Sequence, residues 1–294
     1  MLSRSLALLA ATAVWGTTFV TVKDALDDSD AFTFLALRFL AGGAVALLLG
    51  LRADWRGVLV PGLKLGALLF GGYALQTVGL ASTTPSRSAF VTGVTVLFVP
   101  FVAWAFSGAR PPARAFVAPL LALAGLQRLT GVQLGDALPP GDLLTLGCAV
   151  LYALHIFFLG RWGRGLPVLP LTAVQLFTVS ALSAACLPLS APRLEPSSGY
   201  WAAVLFTGIF ASTVAIALQT WAQARLSATR AAVIYSLEPV FALALSVLLG
   251  REPMTAAGLL GGGLILAAVL VSEVPLASLR RGALPQARGG DAAP

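Results

Sequence analysis

Apolar residues run along the chain in ten blocks, separated by short polar turns, and each block approaches the roughly 20 residues that a helix needs to cross about 30 Å of hydrocarbon. Seven blocks are free of charge: 5–22, 65–86, 88–109, 143–160, 165–192, 196–224 and 253–272. Three more are interrupted once, 31–51 by Arg38, 115–135 by Arg128 and 231–250 by Glu238. The weakest is 115–135, whose clean part ends at residue 127. The first block reads as a retained span, because Trp15-Gly16-Thr17-Thr18 continues the apolar run and no small-residue cleavage site precedes Lys23.

Two turns between blocks repeat one another. Leu75-Gln76-Thr77 followed by Arg87 and Ala89 recurs 143 positions later as Leu218-Gln219-Thr220 followed by Arg230 and Ala232. Gln76 lies in the third span and Gln219 in the eighth, so five spans separate the copies, and an odd number inverts one copy relative to the other. A second match, at an offset of 137, sets Trp15 on Tyr152 and Arg38 on Gln175. The expected fold is an all-α integral membrane protein of ten transmembrane helices, built from two inverted five-helix repeats over 1–135 and 136–276. Residues 277–294, with Arg280, Arg281 and a Gly/Ala/Pro-rich end, read as a disordered cytoplasmic tail.

Composition agrees with that fold. Hydrophobic residues make up 58% of the chain and charged ones 11%, with a mean hydropathy of +0.89, against roughly 25% charged in soluble domains. The net charge of +7 is distributed as a topology signal. With the N-terminus inside, the inner set is Arg4, Arg52, Arg56, Lys64, Arg110, Arg114, Arg161, Arg164, Arg225, Arg230, Arg280, Arg281 and Arg288. The outer set is only Lys23, Arg87, Arg128, Arg193 and Arg251. Both termini are therefore expected in the cytoplasm, most simply of a bacterial inner membrane, and a nucleic-acid partner is not needed to explain the charge. Cys148 and Cys186 lie in apolar runs without ligand spacing, so neither a disulfide framework nor a zinc site is expected, and no cofactor or metal is.

The order and spacing of several short motifs carry a family resemblance over nearly the whole chain. They are Trp15-Gly16-Thr17 with Lys23, Arg38, Ser86-Arg87-Ser88-Ala89, Gln175, Ser236-Leu237-Glu238-Pro239 and Gly250-Arg251-Glu252-Pro253. The chain resembles the EamA branch of the drug/metabolite transporter superfamily. The resemblance implies a bundle in which the first four helices of each repeat surround a central cavity and the fifth packs peripherally. It also implies export of amino acids or related small metabolites. The first repeat departs from the pattern, with Gly108-Ala109-Arg110-Pro111 where the second has Arg-Glu-Pro.

Polar groups inside the spans are costly unless they face a cavity or a partner, so they are the candidates for chemistry. Glu238, about 12 Å into the ninth span at 1.5 Å per residue, is a candidate for proton coupling. His155, the one histidine, is a candidate both for proton coupling and for substrate binding. Pro239 lacks an amide hydrogen and is the expected gating hinge. Arg38 suits a substrate carboxylate or an internal pair with Glu238; Gln175 is its match in the other half. Trp15, Tyr73, Tyr152 and Tyr235 offer aromatic walls, and Gln76 and Gln219 offer amides that donate and accept. Each has a bland alternative in helix packing. The glycines from Gly258 to Gly263 fit internal packing better than a dimer face, which leaves the oligomeric state open between monomer and dimer.

The reading is a secondary transporter exporting small metabolites, foremost amino acids with aromatic or apolar side chains, by alternating access. The partners it needs are a small-molecule substrate and the lipid bilayer. The rivals are a membrane-embedded enzyme such as a metal-dependent prenyltransferase using Asp24, Asp27, Asp28 and Asp30, or a channel. A second acidic cluster, G-x-S-x-G, H-E-x-x-H and a phosphate loop are all missing from the sequence, so no catalytic residue is expected.

Overall fold

In lipid every backbone polar group must be satisfied within the chain, which makes helices the solution for apolar blocks of this length. A computed structural model describes residues 2–108, 110, 116–130, 139–248 and 253–273. The boundary at 135/136, Arg114, Gly250-Arg251-Glu252 and the tail 277–294 lie outside the described residues.

Among the described residues the helices are α1 (Leu2–Asp28), α2 (Ala31–Gly50), α3 (Leu59–Ala81), α4 (Pro85–Gly93), α5 (Thr95–Ser107), α6 (Val117–Thr130) and α7 (Pro140–Trp162). They continue with α8 (Val168–Ala185), α9 (Ser198–Phe206), a π-helical segment (Thr207–Val214), α10 (Ala215–Gln223), α11 (Ala228–Tyr235), α12 (Glu238–Leu248) and α13 (Ala256–Glu273). Pairs such as α4 with α5 and α11 with α12 run on as single rods, so eight rods are long and apolar enough to cross a membrane. Val117–Leu129 and Ala256–Val271 are shorter apolar helices, completing the ten blocks. The fold is all-α, and exposed leucines such as Leu48, Leu259 and Leu270 cover its outer face, as a lipid-facing surface requires.

Block ends moved where charges were read as boundaries. α3 starts at Leu59 and contains Lys64, whose ammonium lies 5.4 Å from the Trp162 ring centre, so the long stem crosses apolar surface while the charge stays near the interface. α7 starts at Pro140 and takes in Asp142, which is fully buried.

Two rods break at matched positions. α4 gives way to α5 at Val94, and α11 to α12 at Ser236-Leu237, with Val94 and Leu237 143 apart. Pro239 is the second residue of α12, a first-turn site where its missing N–H has no helical partner to lose. The first half breaks without a proline at the matching place, so Pro239 accommodates the break and does not by itself cause it. The N-caps repeat as well: Thr84 accepts from the Arg87 amide and Ser227 from the Arg230 amide, each at 3.3 Å.

The last helices of the two halves pack on each other. A Cβ on Gly261 would lie 2.6 Å from the Gly125 carbonyl oxygen, so α6 and α13 meet at a spacing only glycine permits. Gly261 is thereby used inside the bundle.

Outside the spans, Asp30 caps α2. Its carboxylate accepts from the amides of Phe32, Thr33 and Arg193 at 3.0, 3.1 and 3.0 Å and from the hydroxyls of Thr33 and Ser190 at 2.5 and 3.1 Å. Burial raises its pKa, but these hydrogen bonds outweigh that and hold it below the usual carboxylate value. A depressed folded pKa means stability that is complete above about pH 3.9 and is lost as pH falls through the folded value. Asp30→Ala is expected to cost about 1 kcal/mol at pH 7, read as a lower unfolding temperature in detergent. The gap to the unaltered protein is expected to narrow below about pH 3; a gap independent of pH would contradict this.

Candidate functional site

Between the breaks lies a cavity. It is lined by Trp15 and Thr18 of α1, Arg38 of α2, Leu69, Tyr73 and Gln76 of α3, and Thr92, Gly93 and Thr95 at the first break. Tyr152, His155 and Ile156 of α7, Gln219 of α10, and Ala232, Tyr235, Ser236 and Glu238 at the second break complete it. The space between the lining atoms is about 670 Å³ with the mouth included. Ligand pockets typically hold about 300–1,000 Å³, and with its mouth included this cavity falls in that range.

Gly16 explains how α1 reaches the second break: a Cβ there would sit 2.7 Å from the Glu238 carbonyl oxygen and 2.7 Å from the Phe241 Cβ. On the other side the Thr95 hydroxyl donates to the Ala149 carbonyl of α7 at 3.2 Å. The π-helical segment opens carbonyls that an α-helix would close. Within it the Ala211 carbonyl accepts the Trp15 indole N–H at 2.7 Å.

The aromatic walls interlock. Tyr73 packs edge-on against Tyr152 with ring centres 5.5 Å apart, and Trp15 against Tyr235 at 5.4 Å. The Tyr152 hydroxyl donates to Gln76 Oε1 at 3.2 Å, and Gln76 Nε2 donates to the Thr92 hydroxyl at 3.0 Å. Gln219 lies beside Tyr235. Glu238 lines the cavity with no ion-pair partner among the described residues.

All the residues expected from sequence to bind substrate line this cavity except Gln175, and so does Glu238. Gln175 is buried behind His155: its Nε2 donates to the Leu171 carbonyl at 3.2 Å, and its Oε1 lies 2.9 Å from His155 Nε2. With that amide nitrogen used, the imidazole donates and Gln175 holds it in orientation. Pro239 does not face the cavity. Arg38 and Glu238 do not pair; Arg38 Nε instead donates to the Ser212 hydroxyl at 3.1 Å.

Thr18, Thr92, Thr95 and Ser236 were missed as lining residues, although the repeat offsets point to them. Thr18 matches His155 at 137; Thr92, Gly93 and Thr95 match Tyr235, Ser236 and Glu238 at 143. Together with Trp15 and Tyr152, and Gln76 and Gln219, these form matched pairs, one residue from each half, along much of the cavity wall, while Arg38, Leu69, Tyr73, Ile156 and Ala232 line it without a matched partner in the wall. The sequence profile of the EamA-like transporter family matches the chain twice, over residues 2–129 and 139–273.

The chain belongs to the EamA-like transporter family. A relative from Archaeoglobus fulgidus, described as an uncharacterized transporter, is 33% identical over 258 residues, covering 88% of this chain and 82% of its own. A protein of known crystal structure superposes with a TM-score of 0.77 at 25% identity, over 96% of this chain and 99% of its own.

In this EamA-like transporter polar contacts tie neighbouring helices together at the two ends of α1. At the Lys23 end, Arg87 forms an ion pair with buried Asp142, which also accepts from the Thr83 hydroxyl at 2.8 Å. Lys23 Nζ there donates to the Leu80 and Ala81 carbonyls at 2.8 and 2.9 Å. At the other end, 27 helical residues long by the span of α1, Arg230 Nη2 donates to the Ser5 hydroxyl at 3.3 Å. Arg4 donates to the Trp221 carbonyl and lies over its ring, 4.5 Å from the ring centre. Ser5 matches Asp142 at the offset of 137 and Arg230 matches Arg87 at 143, so equivalent contacts at opposite ends of α1 use different chemistry. Asp142 was missed because the seventh-helix block was read from residue 143.

The acidic stretch after α1 has other uses. Asp28 accepts from the Ser197 hydroxyl at 2.5 Å and Asp30 caps α2, which ties the start of α2 to the segment before α9. Among the described residues no cluster of three His, Cys, Asp or Glu is placed to hold a metal ion.

Proposed function

We propose that the protein exports small metabolites, foremost amino acids with aromatic or apolar side chains, by alternating access between two inverted repeats. The observation that carries the reading is the cavity lined largely by matched pairs from the two halves, at the level where both broken rods turn. Discontinuous helices around a central site are how transporters expose polar backbone to a substrate without exposing it to lipid. Matched contacts at opposite ends of α1 support inversion, since rocking one half against the other exchanges the open end. The Arg4 end faces the cytoplasm in this reading, as the distribution of Lys and Arg requires, and the membrane is a bacterial inner membrane. Glu238 carries the coupling proton, and the break before Pro239 is the moving joint.

The test is counterflow in proteoliposomes preloaded with unlabelled amino acid and supplied with the same labelled compound outside. Transient overshoot of label for at least one aromatic or branched amino acid is expected. A channel equilibrates label without overshoot, and a panel of amino acids giving none defeats the substrate class.

A further inference from the structure

Arg38 is 2% exposed, yet one of its terminal guanidinium nitrogens, Nη2, is buried without a hydrogen-bond partner. The group lines the cavity, and no carboxylate of the described residues forms an ion pair with it. An arginine keeps its charge at all physiological pH values, and a buried cation without a counter-ion costs several kcal/mol. An anion entering the cavity would find that cost already incurred by the empty protein.

The guanidinium is held in place by a device that has no counterpart in the other half. The wide turns of the π-helical segment bring Ser212 to face α2, where its hydroxyl accepts from Arg38 Nε at 3.1 Å and donates to the Thr207 carbonyl at 2.9 Å. The Thr213 hydroxyl donates to the Gly42 carbonyl at 2.6 Å, and a Cβ on Gly42 would lie 2.5 Å from the Gly208 carbonyl oxygen, so the segment is clamped to α2. The rings of Phe39 and Tyr73 lie 5.0 and 5.1 Å from the guanidinium carbon. With Nε occupied by Ser212, Nη2 is the terminal nitrogen left without a partner, and a carboxylate meeting the end of the guanidinium would supply one.

The residue matching Arg38 is neutral Gln175, already engaged with His155, and Glu238 shares the cavity wall. A dianion such as a phosphate ester would meet one cation and an acid, whereas a single carboxylate is matched by one arginine.

We propose that Arg38, positioned by Ser212, is the seat for a carboxylate on the transported substrate. This rests on the transporter reading above and narrows it to substrates that carry one carboxylate. The test compares counterflow of phenylalanine, 3-phenylpropionate, phenylalaninamide and phenethylamine through the unaltered protein, so that it does not depend on a variant folding. The two carboxylates are expected to exchange at least about tenfold faster than the amide and the amine, the scale of a hydrogen bond to a charged group. Arg38→Gln is expected to erase that preference and Arg38→Lys to keep part of it. Ser212→Ala is expected to raise KM for phenylalanine with kcat little changed, and Ser212→Thr to restore it. Amide or amine exchanging as fast as phenylalanine overturns the seat and leaves the transporter reading standing. No exchange of any of the four compounds, or of other amino acids, overturns both together.

Discussion

Glu238→Gln is expected to uncouple transport from a proton gradient while sparing exchange. If one proton moves against each substrate, one pH unit is worth about 1.4 kcal/mol, or about tenfold accumulation on the acidic side of the membrane. Proteoliposomes with an acid lumen are expected to show that accumulation with the unaltered protein and almost none with Glu238→Gln. The physical ground is the position of the carboxyl: it opens α12 at the break in the ninth rod, faces the cavity, and has no cation paired with it among the described residues. A charge there has only the cavity's contents to balance it, so a proton and a cationic substrate group compete for one place. Gln keeps the size and the hydrogen bonding and removes the titration. Accumulation that persists in Glu238→Gln assigns the proton elsewhere, with His155 the next group to vary; accumulation indifferent to the gradient in the unaltered protein ends the coupling idea.

The second large effect concerns the Lys23 end of α1. Asp142→Asn is expected to open it, read as alkylation of Cys148 at least about tenfold faster in a Cys186→Ser background. Cys148 is fully buried and lies on α7, six residues beyond Asp142, so a maleimide reaches it only if that end parts. Breaking a buried ion pair costs about 3–5 kcal/mol. Arg87 is 24% exposed, which screens part of that, and tenfold in rate needs only about 1.4 kcal/mol. Arg230→Gln at the opposite end is expected to leave Cys148 protected, because position 5 offers a serine hydroxyl where position 142 offers a carboxylate. Unchanged alkylation together with a lower unfolding temperature in Asp142→Asn marks the pair as a structural staple. With an ion pair at one end and a serine contact at the matching place, the Lys23 end is expected to be the harder to open.

Much of the site was legible in the sequence, and the repeat was the reason. Equal offsets in the sequence pair Trp15 with Tyr152 and Gln76 with Gln219, and all four residues line the cavity. The same offsets contained Thr18 with His155 and Thr92 with Tyr235, but short hydroxyl side chains do not stand out in apolar helices, where they commonly bond to their own backbone. Thr18 does so, donating to the Trp15 carbonyl at 2.7 Å. Asp142 was hidden by a different cause. A charge at the edge of an apolar block looks like the end of the block, and only its buried pairing with Arg87 shows that the helix continues past it.

The one-dimensional pattern therefore determined which segments enter lipid, how many there are, and that the chain is two copies of one unit. Those follow from transfer free energies summed along about 20 residues, which depend little on neighbours. Tertiary structure alone decided where the rods break, that the eighth span winds as a π-helix over Thr207–Val214, that Arg38 meets Ser212 rather than Glu238, and that the two ends of α1 are tied with unequal chemistry. Each of these depends on which carbonyl or charge finds a partner across 55 to 225 positions of chain, and in a medium without water that pairing is what fixes the geometry.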